Sequence, residues 1–163
     1  NYWSPDLSNC SFSKSSLSDL GSGAGFPGLV IAIFNENKDF HVKLYEKSPV
    51  KRAFLEEISK RLSIRVEIKG NIYDEIVDAD YIVSRAFKKL ESVIQVSREI
   101  VKKSHKLIVL KGQNAQEDIK KAFKKKKYAY KLEDSITNKD SKIIIVDFKK
   151  WRQLYRWLIK KVE

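Results

Sequence analysis

Three glycines at alternate positions mark the sequence Asp19-Leu20-Gly21-Ser22-Gly23-Ala24-Gly25-Phe26-Pro27-Gly28. The four residues 17–20 have the pattern of a short strand, and the nearly all-apolar residues 27–34 predict a buried helix directly after the glycines. A strand that enters a helix through glycines is typical of the ligand-binding edge of an α/β sheet, because glycine lets the backbone approach a ligand closely.

Apolar runs and helical periodicities alternate outward from this stretch, which predicts an α/β domain with a largely parallel sheet. Further strands are predicted at residues 42–45, 64–68, 81–84, 106–110, 128–132 and 143–148, and further helices at 49–62, 90–101 and 116–124. In the helix that Ser48 caps, Val50, Phe54, Ile58 and Leu62 recur every four residues, so this face is expected to pack on the sheet.

The chain of 163 residues has the size of one domain. We expect residues 1–16 to be a remnant of an N-terminal region, 17–150 to be the domain itself and 151–163 to be an amphipathic helix docked on it, with contact to membrane or RNA as the alternative for that helix. The chain contains no methionine. We therefore expect the native N-terminus to be missing.

The composition gives evidence on the cellular compartment and on metal binding. No apolar run is long enough to span a bilayer, and the first residues lack the features of a signal peptide. Cys10, the single cysteine, has no disulfide partner and no companion zinc ligands. We expect a cytoplasmic protein that uses no membrane and no metal and acts as a monomer.

Charge is distributed unevenly along the chain. Residues 1–101 contain 14 Lys+Arg and 14 Asp+Glu, whereas residues 102–163 contain 19 and 7, so the whole net charge of +12 lies in the last part. Lys120, Lys121 and Lys124 to Lys127 are prominent in it. This asymmetry indicates a polyanionic partner such as nucleic acid, and a solvated lysine-rich surface is the alternative.

Two cofactor classes use a glycine loop of this kind. The NAD fingerprint requires a glycine where Phe26 stands, so it fails here. The Asp-x-Gly-x-Gly-x-Gly form resembles motif I of S-adenosylmethionine-dependent methyltransferases. Glu46, at the end of the second predicted strand, suits ribose hydroxyls in either class. A turn with a purely structural role is the remaining alternative.

The full ten-residue string is more specific and resembles the RsmG family, also called GidB, of bacterial 16S ribosomal RNA methyltransferases that modify N7 of a guanine. Ser84-Arg85-Ala86-Phe87 after the fourth strand and Leu110-Lys111-Gly112 after the fifth match further family motifs, in order, over residues 17–148. The resemblance implies a class I Rossmann-like methyltransferase fold with a mostly parallel seven-stranded sheet, S-adenosyl-L-methionine as cofactor, and 16S ribosomal RNA or the small ribosomal subunit as partner.

The resemblance and the motif order assign site residues. The cofactor-binding set is Asp19, Gly21, Gly23, Gly25, Phe26, Glu46, Ile72, Tyr73 and Arg85, and the catalytic set is Arg85 and Lys111. In the family element that maps onto Asn71-Ile72-Tyr73 only the middle position matches well, so backbone contacts are expected there. The family also has a helical segment before motif I, of which at most eighteen residues are present here.

Several residues and motifs restrict which atom of a base could be methylated. Guanine N7 carries a lone pair and no proton, so its methylation needs no general base. The fourth strand lacks an Asn/Asp-Pro-Pro-aromatic motif for amino-group methylation, and Cys10 lies in the wrong place to attack cytosine. Arg85 could bind guanine O6 or a phosphate, with an ion pair to Asp80 as the alternative, and Lys111 could neutralise a phosphate. His41 and His105 are expected at the surface, at the far end of the sheet.

These observations predict an enzyme, a methyltransferase that acts on N7 of a guanine in 16S ribosomal RNA. The alternatives are a methyltransferase with another RNA or small-molecule target, a nicotinamide-dependent oxidoreductase, and a ribosome-associated RNA-binding module without catalysis.

Overall fold

A computed structural model describes residues 15–124, 128–136, 138 and 140–149. Its strands are β1 Ser16–Leu20, β2 His41–Tyr45, β3 Glu67–Lys69, β4 Tyr81–Arg85, β5 His105–Lys111, β6 Tyr130–Asp134 and β7 Lys142–Phe148. Its helices are α1 Gly28–Phe34, α2 Pro49–Arg61, α3 Leu90–Ile100 and α4 Ala115–Phe123, with a 3-10 turn at Ile72–Asp74. The predicted helix 151–163 and most of the predicted remnant 1–16 lie outside the described residues.

All seven strands form one sheet in the order β3-β2-β1-β4-β5-β7-β6. The first five strands in this order, from β3 to β5, pair in parallel with their neighbours. Strand β7 pairs antiparallel with both β5 and β6. Strand order reverses at β1, whose last residue Leu20 pairs with Tyr45 on one side and Ser84 on the other. A ligand crevice in an open α/β sheet lies at such a reversal, outside the carboxyl ends of the strands.

Two predicted strands are displaced by a few residues. The third was predicted at 64–68 and forms at Glu67–Lys69, because the end of α2 takes up the preceding residues. Ser63 has a φ of 52°, and the Ile64 amide donates to the Ser59 carbonyl. The sixth was predicted at 128–132 and forms at Tyr130–Asp134.

The expectation that residues 27–34 form a buried helix is correct for its first residues and wrong for its last two. Gly28 and Leu29 are buried, but Ile33 is 47% exposed and Phe34 is 68% exposed. Ile31 and Ala32 in the middle of α1 are partly buried against the core, and only the last two residues of the helix are exposed. Its last turn therefore presents apolar side chains at the surface.

The predicted packing face of α2 is only partly correct. Ile58 packs against the core, but Val50 is 80% exposed and Leu62 is 56% exposed. The buried residues are instead Leu55 and Ser59. Leu55 packs beside the glycine loop, since a Cβ built on Gly25 would lie 3.2 Å from Leu55 Cδ2. Spacing by four residues drifts around a helix of 3.6 residues per turn, so a stripe of that spacing leaves the buried side.

His41 and His105 both begin strands at the end of the sheet opposite the glycine loop, as expected. His41 is exposed, as expected. The expectation that His105 lies at the surface is wrong, because only 4% of its surface is exposed. The Nδ1 of His105 lies 3.0 Å from the Lys103 carbonyl and its Nε2 lies 2.7 Å from Ser97 Oγ. The ring also packs on Phe148, with 4.9 Å between centroids. His105 therefore joins α3, β5 and β7.

Within the described residues, every helix is too short or too polar to cross a bilayer.

The buried His105 ring makes stability depend on pH. Burial lowers the pKa of His105 below its ordinary value of 6.5, so the unfolded chain takes up a proton that the folded chain resists. The stabilisation by the neutral ring is present above that value and decreases as the pH falls through and below it. We expect the free energy of urea unfolding to fall more between about pH 7.5 and 5.5 in the unaltered chain than in His105→Gln. Equal decreases in the two proteins would contradict this role.

Candidate active site

The glycine loop joins β1 to α1 at the carboxyl edge of the sheet. Its glycines have φ values of 73° at Gly21, 58° at Gly23 and 98° at Gly25, a region that other residues rarely adopt. A Cβ on Gly21 would lie 2.6 Å from the Phe87 ring, and one on Gly25 would lie 2.8 Å from Leu29. A Cβ on Gly23 would meet only the Gly21 carbonyl, at 3.9 Å. Gly21 and Gly25 thus permit close internal packing, and Gly23 presents open backbone surface.

Most amides of this loop already have acceptors within the protein. The acceptors are the Tyr45 carbonyl for Gly21 and Ser22, the Glu46 carboxylate for Gly23, and the Ser22 carbonyl for Gly25 and Phe26. Phosphate-binding loops use such amides to hold anionic oxygens. Because these five amides are engaged, the loop is poorly suited to a pyrophosphate.

Asp19 ends up beneath the loop. Its Oδ2 accepts a 3.0 Å hydrogen bond from the Gly28 amide at the start of α1, and the residue is fully buried. Its Oδ1 is buried without a hydrogen-bond partner in the described structure. Burial raises the pKa of Asp19 from 3.8 to about 6, although the Gly28 amide acts in the opposite direction. The first amide of α1 is therefore already bound to a carboxylate, whereas a dinucleotide phosphate needs a free amide at a helix N-terminus, which disfavours the nicotinamide alternative.

Glu46 follows β2 and is also buried beside the loop, with 6% of its surface exposed. Its Oε2 accepts from the Gly23 amide and its Oε1 accepts from the Ser48 amide, both at 2.9 Å. Each carboxylate oxygen has a second lone pair. The geometry therefore gives Glu46 a loop-anchoring contact, and the predicted ribose contact would use its remaining acceptor capacity.

The other predicted cofactor residues surround the open side of the loop. Ile72 is buried and Tyr73 is 49% exposed in the 3-10 turn that follows β3. Asn71 caps this turn through a 3.5 Å hydrogen bond from the Tyr73 amide. Phe26 is 54% exposed in the loop itself. Strands β3 and β1 thus place two large aromatic rings at the same edge of the sheet.

Arg85 is the last residue of β4 and is exposed. The alternative that Arg85 forms an ion pair with Asp80 is wrong. Asp80 directly precedes the first residue of β4, at the other end of the strand from Arg85, and it binds Ser16 and Lys103. Arg85 makes no ion pair with another described residue. Ala86 follows with a φ of 53°, so the chain turns sharply directly after Arg85. Strained backbone of this kind is concentrated at functional sites.

Lys111 ends β5 but does not face the site freely. Its Nζ lies 2.8 Å from Asp118 Oδ2 in the first turn of α4, and its side chain is 17% exposed. This pair fixes α4 to the sheet. A phosphate role for Lys111 would require that pair to open.

Sequence reasoning assigned no role in the site to Phe87, the last residue of the quoted motif, and did not consider Lys88, which follows it. The Phe87 ring packs on Gly21, as described above, and Lys88 Nζ donates to the Tyr73 hydroxyl. The same ammonium lies 4.9 Å from the Tyr73 ring centroid and 5.5 Å from that of Phe87. An aromatic residue followed by lysines at a strand end was the available signal. These contacts join the segments after β3 and β4 across the site.

Replacing the buried carboxylate tests its environment. Asp19→Asn cannot ionise and keeps an oxygen that can accept from the Gly28 amide. Because the pKa of Asp19 is about 6 when folded against 3.8, its protonated form stabilises the fold at low pH, and that stabilisation is lost as the pH rises through 6. We expect the difference in unfolding free energy between Asp19→Asn and the unaltered chain to shift in favour of the variant by about 3 kcal/mol from acid to neutral pH. Parallel stability curves would refute a buried, high-pKa carboxyl.

Sequence comparison relates this geometry to known proteins. The GidB family model, described as rRNA small subunit methyltransferase G, matches residues 6–145. A ribosomal RNA small subunit methyltransferase G from Pelagibacter ubique is 33% identical over 129 residues, covering 77% of this chain and 61% of the relative. One from Rickettsia typhi is 35% identical over 132 residues, covering 80% and 67%. The chain therefore spans about three fifths to two thirds of the length of these relatives.

Solved structures agree on the fold. A SAM dependent methyltransferase from Aquifex aeolicus matches with a TM-score of 0.64 at 11% identity, covering 82% of this chain and 81% of that one. A putative O-methyltransferase from Nostoc punctiforme matches with a TM-score of 0.65 at 12% identity, covering 82% and 52%. The predicted class I methyltransferase fold with a mostly parallel seven-stranded sheet is confirmed.

The family resemblance that the glycine loop and the Ser84-Arg85-Ala86 motif predicted is therefore confirmed, and the chain belongs to the GidB family of rRNA small subunit methyltransferases G.

Proposed function

We propose that this chain forms the catalytic part of an enzyme that transfers a methyl group from S-adenosyl-L-methionine to N7 of a guanine in 16S ribosomal RNA. The observation that carries the proposal is the glycine loop: Gly23 presents open backbone while Asp19 and Glu46 hold the loop from beneath. Membership of the GidB family supports the ribosomal RNA substrate.

The residues present suit this cofactor. S-adenosylmethionine carries no phosphate and has a positive sulfonium, so it needs neither free loop amides nor an uncompensated helix N-terminus. Gly21, Gly23, Gly25 and Phe26 would contact it along the loop, Glu46 would accept from its ribose, and the backbone of Ile72 and Tyr73 would flank its adenine. When bound, the cofactor supplies an electrophilic methyl carbon for an in-line displacement.

Residues at the end of β4 would position the target base. Guanine N7 attacks with its lone pair and releases no proton in that step, so alignment is the main requirement. Arg85 is exposed at the reversal of strand order and is unpaired in the described structure. Its planar guanidinium would donate to guanine O6 or to a phosphate. Lys111 would join it at a phosphate only after release from Asp118.

We further propose that the enzyme acts in the cytoplasm as a monomer, on 16S RNA or on the small ribosomal subunit. Lys120, Lys121 and Lys124 would contribute phosphate contacts away from the target nucleotide. Phe123 at the end of α4 stacks on Tyr130, with 4.4 Å between ring centroids. Tyr130 pairs with Val146, which pairs with Leu107 near the start of β5. These lysines thus lie towards the end of the sheet opposite the glycine loop.

Complementation tests the proposal. We expect N7-methylguanosine in 16S RNA to disappear from cells that lack the complete gene and to return when the gene is restored. The gene carrying Arg85→Ala should restore methylation at least ~100-fold less efficiently, the usual scale for loss of a donor in a preorganised site. Arg85→Lys, which keeps the charge without the planar fork, serves as the matched comparison, and circular dichroism should show unchanged folding for both. Full methylation with Arg85→Ala would remove Arg85 from the mechanism, and no N7-methylguanosine with the intact gene would refute the proposed reaction.

A further inference from the structure

Several cations at the carboxyl edge of the sheet lack carboxylate partners. In the described structure, six side chains beside the glycine loop form no ion pair, namely Lys47, Lys51, Arg52, Arg85, Lys88 and Lys89, and Arg52 donates only to the carbonyls of Glu46 and Lys47. Three other cations of this edge, Lys69, Lys111 and Lys142 on strands β3, β5 and β7, are paired with carboxylates. The edge around the glycine loop is therefore positively charged although residues 1–101 have no net charge.

The carboxylates near this edge compensate it only in part. Glu46 is buried and accepts from two amides, and Glu75 accepts from the Tyr45 hydroxyl and lies 3.9 Å from Lys69. Asp74 accepts a hydrogen bond from the side-chain amide of Asn71, and Glu91 is exposed in the first turn of α3. None of these four carboxylates forms an ion pair with the six cations beside the loop. A polyanion at this edge would meet uncompensated positive charge.

Lys88 is the cation with the most specific surroundings. It is held by the hydroxyl and ring of Tyr73 and by the ring of Phe87, with no carboxylate in contact. Phe87 is fixed against Gly21, whereas half of Tyr73 is exposed. A phosphate oxygen could replace the Tyr73 hydroxyl as the partner of Lys88. That exchange would free the Tyr73 ring while its backbone stays in the turn after β3.

We propose that Tyr73, Phe87, Lys88 and Lys89, here called the rim cluster, bind the single-stranded RNA segment that carries the target base. Lys88 and Lys89 contact its phosphates, and the Tyr73 ring stacks on a base. Lysines combined with exposed aromatic rings are the usual surface for single-stranded nucleic acid. The inference rests on the proposed RNA substrate and adds the contact residues and the strand state that they select.

The single-stranded state follows from access. In A-form RNA the guanine N7 lies in a major groove too deep and narrow for side chains, and its bases stack on one another. A ring can stack on a base only when that base has left the helix. The rim cluster adjoins the glycine loop through the contact of Phe87 with Gly21, so a base stacked there lies beside the proposed cofactor.

Binding of labelled RNA by fluorescence anisotropy tests the rim cluster. The probes are a single strand of about 12 nucleotides containing guanine and a duplex of the same sequence. We expect the unaltered chain to prefer the single strand. The double variant Lys88→Gln with Lys89→Gln should bind it at least ~10-fold more weakly at low salt, and the slope of log affinity against log salt should decrease by about 1.4 for two lost phosphate contacts. Tyr73→Leu should weaken binding about tenfold with an unchanged salt slope, because stacking releases no counterions.

The matched control removes the same charge elsewhere. Lys38 and Lys60 are exposed near the opposite end of the sheet, before β2 and late in α2, so Lys38→Gln with Lys60→Gln should leave affinity and slope close to those of the unaltered chain. The rim cluster is overturned if its variants match this control, if the unaltered chain prefers the duplex, or if that chain has no affinity for the single strand. Rim-independent binding by a chain whose gene restores N7-methylguanosine would overturn only this inference. Rim-dependent binding without N7-methylguanosine in complemented cells would overturn the proposed reaction and support the rim.

Discussion

The hydrogen bond from the Gly28 amide to the buried carboxylate of Asp19 is the contact on which the site depends. It joins the end of β1 to the start of α1, and the glycine loop connects these two elements. A Cβ on Gly28 would lie 2.6 Å from both Asp19 Cβ and Leu44 Cδ2, so only glycine allows this approach. The contact costs desolvation of a carboxyl group, which its raised pKa records. A charged or polar group buried at such cost is often retained for its geometry.

The same contact sets the chemistry of the loop. A helix N-terminus that already holds a carboxylate cannot serve a phosphate, and the loop amides are bound to Tyr45, Glu46 and Ser22. What remains for a ligand is the open backbone surface at Gly23 and the aromatic and cationic side chains around it. The loop is therefore a cradle for a ligand without phosphate, although its sequence is close to that of dinucleotide-binding loops.

Much of the fold could be predicted from the sequence, because strands separated by helices and a specific glycine string leave few topologies. The failures were of packing. The face of α2 was assigned from spacing by four, but the fully buried residue is Leu55, which packs in the core beside Gly25 and Leu44 through contacts in space that no local pattern contains. His105 was expected at the surface because it precedes a strand at the far end of the sheet, but its burial depends on Ser97 and Phe148 from other elements.

The site was predicted as a set of positions more accurately than as a set of contacts. The motifs located Asp19, Glu46 and Arg85 at the carboxyl edge, yet two of these three anchor the loop from beneath. Charge counted along the chain pointed to the C-terminal lysines, whereas charge arranged in space also identifies the rim around the glycine loop. Pairing between residues distant in sequence neutralises some cations and leaves others free, and composition cannot report it.

The geometry of the glycine loop favours S-adenosylmethionine over dinucleotides as its ligand. Isothermal titration calorimetry of the chain with S-adenosylmethionine, S-adenosylhomocysteine and NAD measures this directly. We predict saturable binding of the first two and none of NAD. Absence of affinity for both sulfur nucleosides, or binding of NAD in their place, would contradict the assignment of the glycine loop as an S-adenosylmethionine site.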